Sequence, residues 1–151
     1  MLVRDYRPED RDALLELAGR LTIGVAPWRD ADAVALAVHG WVVGSIDATD
    51  QGRGFVFVAV VDDEVVGFVS VGERRHWAGA LDAYVGELVT AGSAEGRGVG
   101  RALLARAEHW ARERGYQRIT LETGARNARA LRLYEHLGWE QEDVRLSKPL
   151  T

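Results

Sequence analysis

Between Phe55 and Thr90 the chain carries three dense runs of β-branched and aromatic residues, and from Val99 it switches to helical spacing. That switch, with three glycines at the joint, limits the fold more than any other feature. Phe55 to Val61 and Val65 to Val71 flank the acidic turn Asp62-Asp63-Glu64. They read as an antiparallel hairpin, although this turn lacks the strong Asn-Gly signal. A loop from Arg74 to Leu81 leads to a third strand, Ala83 to Thr90. Val99, Leu103, Ala107 and Trp110 then fall on one helical face, widened by Leu104 and Ala111 and ended by Gly115. Arg118 to Thr123 reads as a strand, and Asn127 to Leu137 as a helix closed by Gly138. Val144 to Leu150 reads as a final edge strand.

The amino-terminal third is less distinctive. Leu2 to Asp5 predicts a first strand, and Pro8 can open a helix carrying Leu14, Leu15, Leu17, Ala18 and Leu21. Gly24 and Pro27 interrupt it. A second helix from Asp30 carries Ala33, Val34, Ala37, Val38 and Trp41; it is expected to fray near Gly44, with a polar loop from Asp47 to Gly54. Early hairpins beside a later β-α-β unit predict a single α/β domain over residues 1–151, a mixed, mostly antiparallel sheet with helices on both faces.

Composition narrows the chemistry. With 151 residues, 47% apolar and 28% charged, the chain can bury a core as one soluble domain. It has no cysteine, which excludes disulfides, thiolate metal sites and a cysteine nucleophile. No HExxH or other compact ligand set supports a metal. The net charge of −4 argues against a general nucleic-acid binder. The charged start resembles no signal peptide, and no apolar run is long enough to span a bilayer, so a cytoplasmic protein without membrane partners is expected.

The joint itself is Glu95-Gly96-Arg97-Gly98-Val99-Gly100. Its glycines permit close backbone approach, and the free N–H groups at the start of the next helix, with the positive end of its dipole, suit a pyrophosphate. Arg97 and Arg101 can add charge-assisted hydrogen bonds. A Rossmann site fits poorly, because it needs GxGxxG after an early strand, and no P-loop GK[ST] occurs.

Residues 95 to 139 resemble the core of the GCN5-related N-acetyltransferases, the GNAT superfamily. The signature there is Arg or Gln, two residues, Gly, one residue, then Gly or Ala. Gly98 and Gly100 match it; Glu95 stands where Arg or Gln is usual. Either Glu95 points away from the phosphates and Arg97 supplies the charge, or repulsion weakens binding. Asn127, Ala130, Tyr134 and the Leu137-Gly138-Trp139 ending match the second element. The resemblance is detailed over roughly residues 55 to 150.

The resemblance implies an acetyltransferase. Acetyl-CoA would lie between strands that splay near Glu87 and Arg118, its pyrophosphate at Arg97 to Arg101 and its pantetheine along the backbone of Leu88, Val89 and Thr90. Tyr134 would lie by the coenzyme sulfur as a general acid, and Glu87 would be the general base, directly or through water. Asn127 would cap its helix and touch the pantetheine. The N–H near Thr90 would be the oxyanion donor. Trp28, Trp41, His76, Trp77, Asp82 and Tyr84 are candidate walls of an acceptor pocket. A small-molecule amine is the favoured acceptor, a protein amine the alternative, and a non-catalytic acyl-CoA-binding module the reading from another class. Direct transfer in a ternary complex is expected. Many such domains pair as homodimers through their last strands, but this sequence carries no distinct interface signal.

Overall fold

The computed structural model describes residues 1–151. Its strands are β1 (Leu2–Asp5), β2 (Phe55–Val61), β3 (Glu64–Arg75), β4 (Leu81–Thr90) and β5 (Ile119–Leu121). Its α-helices are α1 (Arg11–Leu17), α2 (Ala31–Asp50), α3 (Val99–Glu113) and α4 (Ala128–His136). Short 3-10 turns precede α1 (Pro8–Asp10), follow it (Ala18–Thr22) and follow β4 (Gly92–Ala94).

The five strands form one sheet in sequential order, antiparallel throughout except for the parallel pair β4–β5. Alternation along β2 sets the two faces. Phe57 and Ala59 join Val69, Val85, Leu103 and Trp110 under α3. Val56 and Val58 join Phe68, Leu14, Val42 and Ile46 under α1 and α2. Helices therefore cover both faces, as the pattern predicts.

Local chemistry fixes the element ends. Asp62 and Asp63 both take positive φ, 50° and 64°, in the two-residue turn joining Val61 to Glu64. That is the twist a tight hairpin needs, reached by aspartates, which tolerate it better than most residues. Asp30 caps α2 by accepting from Ala33 N–H at 2.8 Å. Buried Asp10 takes Arg4 in a two-pronged pair at 2.7 and 2.9 Å and also accepts from Arg7 N–H at 2.8 Å. Arg4 chiefly holds the Asp10 carboxyl below the usual carboxylate range.

Two expectations fail. The helix does not fray at Gly44, and Asp47 to Gly54 is not all loop, because α2 continues to Asp50. Buried Ile46 carries the apolar face onward, and the polarity of this stretch belongs to a solvated face on which Asp47 pairs with Arg11 at 3.0 Å. The predicted last strand is also absent. Residues 140–151 have no strand pairing, and Val144, Leu146 and Leu150 are exposed. The neighbouring edge, β5, offers only three residues, and Pro149 has no N–H to give.

Candidate active site

The site begins with a defect in the sheet. Ser70 on β3 faces Glu87 on β4, but Val71 faces Val85, leaving Gly86 as an unpaired bulge. The extra residue inverts the alternation. Ala83 and Val85 pack under α3, whereas Val89, beyond the bulge, packs under α1 and α2. Glu87 shares the second face and meets α2. Gly86 has to lack a side chain, since a Cβ there would stand 2.8 Å from Ser70 Oγ.

Glu87 is buried, and both its oxygens are held. Ser45 Oγ on α2 donates to Oε1 at 2.6 Å, and Ser70 Oγ donates to Oε2. Ser70 Oγ in turn accepts from Glu87 N–H at 2.8 Å. Burial pushes the carboxyl above its ordinary value, while the two serine hydroxyls pull the other way. A cleft of about 240 Å³ opens over this carboxylate, with Ser45, Arg53, Glu73 and Tyr84 in its wall. Burial also raises the Tyr84 phenol, and the Arg74 guanidinium lies 3.6 Å above its ring.

Of the candidate acceptor residues, Tyr84 alone lines the cleft with Glu87. The His76 and Trp77 rings lie 4.8 Å apart, tilted by 36°, at the β3–β4 connection, beyond the paired ends of the strands. Asp82 is buried near the start of β4, and Trp28 and Trp41 lie exposed on the helical side. A larger cleft, about 520 Å³, sits between β2 and α3 around Phe55, Arg106 and Trp110. It holds none of the predicted site residues. Three of its lining residues carry a buried polar atom without a partner, Tyr6 Oη, Arg106 Nη1 and Trp110 Nε1, and Tyr6 and Trp110 belong to cores on opposite sheet faces.

Next to Glu87 the sheet divides. Pairing of β4 with β5 stops at Val85 and Leu121, while β4 runs on to Thr90. The outer edge from Gly86 to Thr90 is left without a strand partner, a slot for an extended chain. Glu87 N–H and Ala91 N–H both turn toward β3, bonding Ser70 Oγ and the Val66 carbonyl, so by the alternation of the strand Leu88 and Thr90 present backbone groups to that slot and Val89, predicted to share it, does not.

At the end of the slot lies the glycine turn. Gly96 and Gly98 take φ of 75° and 80°, and Gly98 caps α3. The first α3 N–H to find a carbonyl is that of Ala102, bonded to Gly98 at 3.0 Å. The N–H groups of Val99, Gly100 and Arg101 are the helix's free donors. Gly100 makes room for α4, since a Cβ there would stand 3.2 Å from Leu133 Cδ2. Arg97 and Arg101 are exposed. Left-handed glycines, free N–H groups and nearby guanidiniums form a donor set that fits a diphosphate. Glu95 does not obstruct it: its carboxylate pairs with Arg20 and Arg129.

Asn127 caps α4, accepting from Ala130 N–H at 3.3 Å. Tyr134 on α4 lies 5.9 Å from the Trp139 ring, and burial pushes its phenol up to about 12. The α1–α2 connection rests on the loop before α4, where a Cβ on Gly124 would fall 2.1 Å from the Gly24 carbonyl oxygen. Ser45, Ser70, Arg20 and Arg129 escaped the sequence reading. Only Ser70 left a signal there, as a hydroxyl in the middle of an apolar strand.

The model of the Acetyltransferase (GNAT) family matches residues 12–139. The chain belongs to that family. It is 46% identical over 66 residues to a mycothiol acetyltransferase of Beutenbergia cavernae, covering 42% of this chain and 22% of that protein. It is 32% identical over 92 residues to an uncharacterised N-acetyltransferase of Methanocaldococcus jannaschii, covering 58% and 40%. The chain spans less than half the length of the curated relatives it matches. A GCN5-related N-acetyltransferase from Ralstonia eutropha shares the GNAT fold with TM-score 0.74 and 21% identity, covering 99% of this chain and 97% of that one. An aminoglycoside 6'-N-acetyltransferase from Acinetobacter haemolyticus does so with TM-score 0.68 and 14% identity over both whole chains.

Proposed function

We propose that this GNAT domain moves acetyl from acetyl-CoA to a primary amine of a small molecule, by direct transfer in a ternary complex. The observation that carries this reading is the placement of the Glu87 carboxylate. It is buried, raised and open to a cleft, beside an unpaired strand edge that leads to an anion-binding turn. When bound, acetyl-CoA supplies the activated acetyl group and a thiol leaving group.

The chain's own residues divide the remaining work. The turn from Gly96 to Arg101 binds phosphate through free N–H groups. The outward-facing backbone of Leu88 and Thr90 orients the arm, and Asn127 and Ala130 border it from α4. Glu87 takes the proton that an ammonium must lose before it can attack. Ser45 and Ser70 hold both carboxylate oxygens, so the base does not reorient when its charge changes. Tyr134 keeps its proton through the physiological range and donates a hydrogen bond where charge develops on sulfur.

The size of the cleft favours a small acceptor, and its carboxylates, Glu73 and Glu87, suit a cationic one. Names among the relatives point the same way: three of the matched proteins are mycothiol acetyltransferases. The test is a panel of small amines and peptides with acetyl-CoA, read by thiol release and product mass. An acetylated small amine is expected. Tight coenzyme A binding with no acetyl-CoA consumed across the panel would replace this reading with a non-catalytic binding module.

A further inference from the structure

Three distant segments meet at the glycine turn. Arg20 comes from the 3-10 turn after α1, Glu95 from the approach to α3, and Arg129 from the first turn of α4. Arg20 Nη2 donates to one Glu95 oxygen and Arg129 Nη1 to the other, the latter at 2.8 Å. Arg20 is held a second time, since its Nε donates to the Thr90 carbonyl at 3.0 Å. The turn lies close against both guanidiniums. A Cβ on Gly92 would crowd Arg20 Nη1 at 3.2 Å, while one on Gly96 would only touch Arg129 Nη2 at 3.8 Å.

The carboxylate makes its hydrogen bonds to these two arginines and none to the turn's N–H groups, so it does not occupy the anion's place. Each guanidinium has five N–H donors and uses only part of that set here. The cluster of one carboxylate and two guanidiniums keeps a net positive charge beside the turn. An acidic residue at the mouth of a phosphate site thus gathers more positive charge than it subtracts.

We propose that Glu95 is a positioning residue. It fixes Arg20 and Arg129 at the rim of the glycine turn, where their unused N–H groups bind phosphate oxygens of the coenzyme beyond the reach of the backbone donors. This inference rests on the coenzyme reading of the groove.

The test is calorimetric titration of the full chain with coenzyme A and with pantetheine, which lacks every phosphate. Glu95→Gln and Arg129→Gln are each expected to weaken coenzyme A about tenfold, roughly 1.4 kcal/mol. Pantetheine affinity should stay unchanged. The double variant should lose little more than either single one, because both break the same unit. The salt dependence of coenzyme A binding should flatten in each variant. Arg129 is more than half exposed, so its variant tests the idea even if Glu95→Gln disturbs the turn. Coenzyme A binding as tight or tighter in Glu95→Gln would show that Glu95 opposes the anion and would overturn the proposal. Equal losses for pantetheine would make the cluster a structural brace and overturn it too. A wild-type chain that binds no coenzyme A removes the groove reading as well, an outcome distinct from variants that match a binding wild type.

Discussion

Ser70 both donates to the Glu87 carboxylate and accepts from the Glu87 backbone N–H at 2.8 Å. One hydroxyl thereby ties the Glu87 side chain to its own main chain, across the strand pair and beside the bulge. The bulge decides which sheet face the carboxylate joins, and the hydroxyl decides how it sits there. The nearest relationship in the site therefore depends on sheet register.

Glu87→Gln should remove the proposed base while preserving the shape of the site. A general base must be ionised to act, so the wild-type rate should rise with pH through the Glu87 pKa, which burial places above the ordinary glutamate value. The amide cannot take the proton. A loss in kcat of roughly 10²- to 10⁴-fold is expected, with that rising limb flattened. A pH–rate profile of kcat/KM on both proteins checks it. A variant with unaltered rate and limb would remove Glu87 from the chemistry.

Ser45→Ala tests the opposing pull on the same group. Its hydroxyl donates at 2.6 Å to the carboxylate and favours the charged form. Removing it leaves the burial in place, so the Glu87 pKa should climb further and the rising limb should move to higher pH. Above that limb the rate should recover towards wild type, because the base itself is intact. A limb that stays put or moves to lower pH would contradict the assigned hydrogen bond.

Gly86→Ala should damage the bulge. The new methyl would meet Ser70 Oγ at 2.8 Å, which forces the Ser70 hydroxyl or one of the two strands to shift. Overpacking of this kind costs about 1–3 kcal/mol. Denaturant unfolding should show that loss, and kcat should fall as well, because Ser70 can no longer hold Glu87. Full stability with full activity would mean that the sheet absorbs the methyl without moving the base.

These variants also mark what the sequence makes legible. Glu87 stood out as a carboxylate in an apolar strand, and the glycine turn as a break between two periodicities. Helices α3 and α4 were readable because each buries one regular stripe. Ser45 was not readable as its partner, since the two are 42 positions apart and meet only when α2 crosses the sheet. The same holds for Arg20 and Glu95, which lie 75 positions apart. The end of α2 is not legible in the sequence because a solvated helical face and a loop share a composition, and only burial of Ile46 separates them. Alternating apolar residues do not by themselves make a last strand, because the β5 edge offers only three residues to pair with.

Tyr134→Phe isolates one hydroxyl on α4. With its phenol pushed up to about 12, Tyr134 stays protonated across any practical assay, so it should create no falling limb in the pH profile. Its burial explains the direction: a phenolate there would lose water with no cation assigned to replace it. A proton so tightly held is poorly matched for complete transfer to a thiolate whose ordinary pKa is near 8.5. A hydrogen bond to the developing charge is the better use of it, and such bonds to charged groups are worth about 1.5–3 kcal/mol. The variant should therefore lose kcat by roughly ten- to a hundredfold. Coenzyme A affinity should change far less, because the ring and its packing on Trp139 remain. Pre-steady-state measurement of thiol release beside equilibrium binding separates the two effects. Equal losses in both would make Tyr134 a packing residue, and an unchanged kcat at every pH would take the hydroxyl out of the mechanism.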